Sequence, residues 1–312
     1  MVGIAGNYLG PLFLLRLAGE NYYAILTLNA LLLAISVTSL AKSLRLDAAK
    51  LLLVLLANPL TISSLLSVNK EIISLGVVAL FVRAYVAGSL GTMLLALVAA
   101  LLVRWQLTVA LMTAGLLVGP LNLLRGHRLI TLALLLIGLS VLYVQLEFIL
   151  EPIRLTFEAV AEDYEGSGFY ERLLSLQNEG WYWAVFPAKA VHLLFGNGLR
   201  LDRLFHPTNI YNDIWQLLHS SALLILFIIL LWTRRFRTSN DLVYLSLIYV
   251  AVFAITPIYT PRYFYPVYVL WCAALCTPDR LSAVFTARWD RRMTRPVPSR
   301  ASASLSVPAP PQ

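Results

Sequence analysis

A chain of 312 residues with 59% hydrophobic and only 13% charged residues cannot wet the surface of a soluble fold, which needs a charged fraction of about 25%. Its mean hydropathy of +0.77 places it among integral membrane proteins. The net charge of +8 is no sign of nucleic-acid binding, because Lys and Arg gather in cytoplasmic loops by topology.

Residues 1–19 are apolar but broken by Gly10-Pro11 and Arg16, without the basic start and small-residue cleavage site of a signal peptide. They are expected to be an interfacial segment or the remnant of a span that starts upstream. Roughly 20 apolar residues cross about 30 Å of hydrocarbon, and fewer suffice where the bilayer thins. On that criterion spans are expected near 22–40, 48–67, 72–87, 89–103, 107–124, 129–148, 210–232, 241–259 and 263–276. The fold class is therefore all-α, a polytopic transmembrane bundle of about nine spans.

With an outside N-terminus, the cytoplasmic loops receive Lys42, Arg45, Lys50, Arg83, Arg125, Arg128, Arg234, Arg235, Arg237 and the tail residues Arg280, Arg288, Arg291, Arg292, Arg295 and Arg300. That is 15 of 24 basic residues. The one long hydrophilic interruption, about 151–209, falls on the outer (periplasmic or extracellular) side. Residues 1–276 form the transmembrane domain with this loop. Residues 277–312, rich in Arg, Ser, Pro and Ala, form a disordered basic cytoplasmic tail that cannot bury enough apolar surface to fold.

Polar groups inside a bilayer are costly, so they are functional candidates. Asn58-Pro59, with Ser63, Ser64, Ser67, Asn69, Lys70 and Glu71 behind it, breaks a span. It reads equally as a re-entrant helix or as a kinked span with a snorkelling lysine. Asn212, Gln216 and His219 fall on one face of the seventh span, with His219 roughly 13 Å below the interface. That stripe faces a wet cavity, or it hydrogen-bonds between helices. Thr260-Pro261-Arg262-Tyr263 sets an arginine on the outer face, where positive-inside bias disfavours it. It is a phosphate clamp or part of an aromatic belt.

Within the long loop, GWYWAVFPAKAVHLLFG is amphipathic and aromatic enough to lie in the interface plane, presenting Lys189 and His192; Arg203 and His206 follow. Each of these histidines alone reads more readily as structural, yet histidine is the usual general base near neutral pH. The acidic turn EDYEGSG, with Glu162 and Asp163, does not make a complete divalent-cation site. Cys272 and Cys276 share a helix face as packing residues, and two thiols without further ligands make no metal site. No dinucleotide, P-loop, zincin, redox or nucleophile-elbow motif occurs.

NPLTISSLLSVNKEI, FPAKAVHLLFGNG and the many-span layout with a late outer loop resemble the Wzy-type O-antigen and exopolysaccharide polymerases, over residues 20–276. PRYFYP is similar to the late outer-face arginine segment of GT-C glycosyltransferases. The resemblance implies glycan transfer from an undecaprenyl-pyrophosphate donor at the outer face of the bacterial inner membrane, without cofactor or metal. It implies phosphate contacts from Arg262, Lys70, Arg104, Arg203 and Lys189, with Arg262 part of the catalytic set and His192 or His206 as base. The implied partners are undecaprenyl-linked glycan, the bilayer and other polysaccharide-assembly proteins. The chain is short for the family, and Glu20 is the one acidic residue in its first outer loop, which puts a GT-C enzyme using a polyprenyl-monophosphate sugar second. A transporter or flippase is the alternative of another class, suggested by the broken helix and the buried polar stripe.

Overall fold

The computed structural model describes residues 9–118, 126–145, 168–196, 210–256 and 261–277. The elements are α1 (Leu9–Leu17), α2 (Tyr22–Leu44), α3 (Ala48–Leu56), α4 (Pro59–Leu65), α5 (Lys70–Ala87), α6 (Leu90–Val103) and α7 (Trp105–Val118). They continue with α8 (Arg128–Gln145), α9 (Gly168–Asn178), α10 (Tyr182–Phe195), α11 (Ile210–Trp232), α12 (Asp241–Ala254), a 3-10 turn (Pro261–Phe264) and α13 (Tyr265–Cys276). No strand occurs among the described residues.

Tight connections are written into the sequence as caps. Asn21, Asp47, Asn58, Asn69, Ser89 and Asn240 each accept a hydrogen bond from a backbone N–H in the first turn of the helix that follows. Gly88 ends α5 at φ 64°, a left-handed conformation that glycine adopts without steric cost. A two-residue turn, Gly88-Ser89, thus returns the chain from α5 to α6.

Among the described residues each of the nine apolar segments expected from the sequence contains helix, but the helices differ in length from the expected spans. Three helices are long and apolar enough to cross a membrane: Tyr22–Leu44, Arg128–Gln145 and Ile214–Trp232. A fourth span results if α3 and α4, bent by 94° at Asn58, count as one. Helices α6, α7 and α12 have 14 residues each, which covers about 21 Å of the roughly 30 Å hydrocarbon core.

The core is continuous. Leu40, Leu44, Leu51, Leu55, Phe81, Tyr265 and Trp271 are almost wholly buried, and α2, α3, α5, α7, α12 and α13 pack around them. The outer surface is apolar as well: Leu53, Leu94, Leu95, Leu129, Leu134, Ile137, Ile225 and Ile228 are all exposed. Apolar surface on this scale would aggregate in water and is stable against lipid tails. The chain is a membrane protein.

Helix α10 packs against α8, α9, α11 and α12. Its buried stripe (Tyr182, Val185, Phe186, Lys189, Leu193) repeats at three- and four-residue spacings and faces protein. Tyr182 donates to the Ala251 carbonyl at its start, and Phe195 packs 5.3 Å from Phe227 at its end. The aromatic pair Trp181 and Trp183 stays exposed at the entrance. The acidic first part of the long loop and the basic tail lie outside the described residues.

At one end of the bundle, Arg128 pairs with Asp241 and donates to the Thr238 carbonyl. Arg235 there caps the last carbonyls of α13. The opposite end carries Lys70, Arg104 and Arg262.

Candidate functional site

The site is built around the break at Asn58-Pro59. Proline at the first position of α4 cannot donate to the preceding turn, and the 94° bend frees carbonyls of α3 inside the bundle. Buried carbonyls need partners, and α13 supplies one of them: Tyr268 donates to the Val54 carbonyl at 2.5 Å. Thr61 donates to the Leu55 carbonyl at 2.8 Å and meets the Tyr265 hydroxyl at 3.0 Å. At the far end of α4, the Asn29 amide donates to the carbonyls of Ser64, Leu65 and Ser67 at 3.0–3.3 Å. The half-helix is held by side chains at both ends, as a fixed structural element.

Beside it, His219 of α11 is fully buried and its Nδ1 lies 2.7 Å from Asn58 Nδ2. A small cleft of about 30 Å³ is lined by Leu60, Ser63, Asn69, Trp215, Gln216, His219 and Arg262. Arg262 is exposed on the 3-10 turn, so its guanidinium can reach a ligand entering from that end.

A cationic cluster adjoins the cleft. Arg104 and Glu71 form a buried ion pair, Nη2 to Oε1 at 2.5 Å, with both side chains almost inaccessible. The Arg104 guanidinium carbon stands 4.3 Å from the centre of the Tyr263 ring and that of Arg262 stands 5.7 Å from the same ring. Tyr263 is anchored in turn, its carbonyl accepting from the Tyr249 hydroxyl at 2.8 Å. Lys70 stands at the start of α5, ahead of its apolar run, and is half-buried. Burial, then the neighbouring positive charge of Arg104 and more weakly that of Arg262, push its ammonium down to about 8 against the opposing pull of Glu71.

Lys70, Arg104 and Arg262 therefore converge, although they lie far apart in sequence, and Gln216 and His219 join Arg262 in the cleft. Lys189 does not join them. It is fully buried, and its amine donates to Gln177 Oε1 and to the Thr256 carbonyl. His192 is half-buried three residues further along α10. Asn212 is on α11, with its side chain outside the described residues, where Arg203 and His206 also fall. Sequence reasoning passed over Asn29 and Tyr268. The signal for Asn29 was available, a lone amide in the middle of an apolar span.

Among the described residues no group of three or more His, Cys, Asp or Glu side chains could hold a metal ion. Cys272 is buried and Cys276 half-buried, both as free thiols. Compared with protein-family models, curated proteins and solved structures, the chain matches none.

Proposed function

We propose that the chain is a multi-pass membrane glycosyltransferase that joins lipid-linked oligosaccharide repeat units, acting on a polyprenyl-diphosphate donor. The observation that carries this reading is Arg262, an exposed arginine over a cleft shared with Gln216 and His219 and adjoined by Lys70. A diphosphate leaving group needs fixed positive charge, and a low-dielectric pocket strengthens that stabilisation. In this reading about nine helical segments cross a bacterial inner membrane, with the bilayer thinned around the shorter ones. The Arg262 end faces outward, and the tail is cytoplasmic.

The reaction breaks the bond between the anomeric carbon and the diphosphate oxygen. The acceptor hydroxyl oxygen bonds to that carbon, and its proton passes to a base. Arg262 and Lys70 take up the charge that develops on the diphosphate, and His192 and His206 are the candidate bases. Replacing Arg262 with Ala should convert long surface-polysaccharide ladders to single repeats at unchanged protein level. Unaltered chain length would overturn the assignment. Loss of a single sugar from each repeat would instead identify the GT-C transferase using a polyprenyl-monophosphate donor.

The 94° break at Asn58 favours a second reading, a transporter or flippase, since such half-helices build substrate sites near the membrane midplane. Cysteines at Ser63 and His219, labelled from each face, separate the two. Access from both faces indicates transport, and access from the Arg262 end alone indicates the enzyme.

A further inference from the structure

We propose that His219 is a ligand-binding hydrogen-bond donor, fixed by Asn58 as the Nε2–H tautomer and directed at an oxygen of a diphosphate held by Arg262. This inference rests on the reading given under Proposed function and assigns a role to the buried histidine of that site.

The argument begins with the helix cap. Asn58 Oδ1 accepts the Leu60 backbone N–H at 3.0 Å. A backbone N–H can only donate, so the orientation of the amide is set by the backbone and the opposite flip would bring two donors together. The amide nitrogen is thereby turned to His219 Nδ1 at 2.7 Å. That nitrogen also only donates, so Nδ1 must carry a lone pair. The ring proton of a neutral imidazole then resides on Nε2.

Nε2 is buried and completes no hydrogen bond among the described residues. The Pro261 carbonyl, itself only an acceptor, approaches the His219 ring without forming a well-shaped bond. A buried donor left unpaired is costly, and buried polar atoms of this kind mark places where a ligand or water completes the structure. His219 lines the cleft with Gln216, Ser63, Asn69 and Arg262, whereas Asn58 does not. With Nδ1 committed to Asn58, Nε2–H is the polar atom left for the cleft. A neutral donor beside an exposed guanidinium suits an oxyanion with several acceptor oxygens, which is a diphosphate borne on lipid or free in solution. The same tautomer prevents His219 from accepting a proton from the cleft side, so it binds the leaving group and is not the base.

The test uses the full chain in detergent micelles. In 15N-histidine NMR, resonances absent from His219→Gln identify His219 among the four histidines. The expected spectrum shows an unprotonated Nδ1 and a protonated Nε2. Asn58→Asp keeps an efficient helix cap but presents a carboxylate oxygen to Nδ1, which should become protonated. A wild-type spectrum with protonated Nδ1 overturns the proposal, whether or not any variant folds.

Binding is measured with farnesyl diphosphate and with inorganic pyrophosphate. His219→Leu should weaken farnesyl diphosphate binding roughly tenfold or more, the size of one hydrogen bond to a charged group. His219→Gln, which keeps an N–H donor, should retain most of it. Equal binding of the two probes identifies a free oxyanion as sufficient ligand, and preference for farnesyl diphosphate identifies a lipid-borne one. Unchanged affinity in folded His219→Leu, with loss in Arg262→Ala, overturns the role of His219 and leaves the proposed function standing. Failure of wild type to bind either probe overturns both.

Discussion

Arg104 lays its guanidinium against the Tyr263 ring, with the central carbon 4.3 Å from the ring centre, while its Nη2 pairs with Glu71. The ion pair is buried, and among the described residues Arg104 Nε, Arg104 Nη1 and Glu71 Oε2 complete no hydrogen bond. Such a pair contributes little net stability over a hydrophobic replacement, but breaking it by removing one partner strands a buried charge at a cost of about 3–5 kcal/mol. Glu71→Leu and Arg104→Met should each lower the thermal midpoint in detergent sharply. The double variant should recover much of that loss. A midpoint unmoved by Glu71→Leu would show that the pair does not form.

Lys70 gives the cleft a pH dependence. Its ammonium titrates near 8 because burial and the Arg104 charge disfavour the charged form. Below that pH it is protonated and attracts an anion; above it the attraction is lost. Farnesyl diphosphate affinity should therefore fall as pH rises from about 7 to 9. Lys70→Arg, always charged in this range, should abolish the fall. A wild-type profile that is flat over this window would exclude Lys70 from the anion site.

The helices and the break were legible in the sequence because each rests on a local signal: long apolar runs, capping Asn, Asp and Ser, and proline after Asn58. The convergence of Lys70, Arg104 and Arg262 was legible only through the expected topology, which assigns all three to the same end of the bundle. The partners of the break were not legible. Tyr268 and Asn29 meet the carbonyls of Val54 and of Ser64, Leu65 and Ser67 only after α2, α4 and α13 have packed. The packing of α10 was hidden for a related reason. A stripe of Tyr182, Val185, Phe186 and Leu193 is equally suited to a lipid interface and to a protein groove. The buried Lys189 distinguishes them, because an interfacial lysine would keep its amine in water.

Asn29 is the cap that holds α4. Replacing it with Leu leaves the carbonyls of Ser64, Leu65 and Ser67 without that donor, at about 1–3 kcal/mol for an unsatisfied buried group. Asn29→Leu should loosen the half-helix and raise the thiol-labelling rate of a cysteine placed at Ser64, which is buried in the native chain. An unchanged labelling rate would mean that α4 is held by its packing against α5 and α11 alone.

The last prediction concerns Gln177 and Lys189, which tie α10 to the end of α12. Gln177 donates to the Ile255 carbonyl at 2.8 Å and accepts from Lys189, which also donates to the Thr256 carbonyl at 3.2 Å. Lys189→Met removes a buried amine and leaves neutral acceptors behind, a tolerable loss because carbonyls keep some compensation from neighbouring dipoles. Gln177→Leu takes an acceptor from that amine while it stays buried, and removes the donor to Ile255 as well. The physical asymmetry is that a buried amine deprived of an acceptor costs more than an acceptor deprived of its donor. Gln177→Leu should therefore lower the thermal midpoint more than Lys189→Met, and Gln177→Leu/Lys189→Met should be more stable than Gln177→Leu alone. If the two single variants fell equally and their effects added, the amine would not depend on Gln177, and α10 would be held in place by Tyr182 and Phe195 instead.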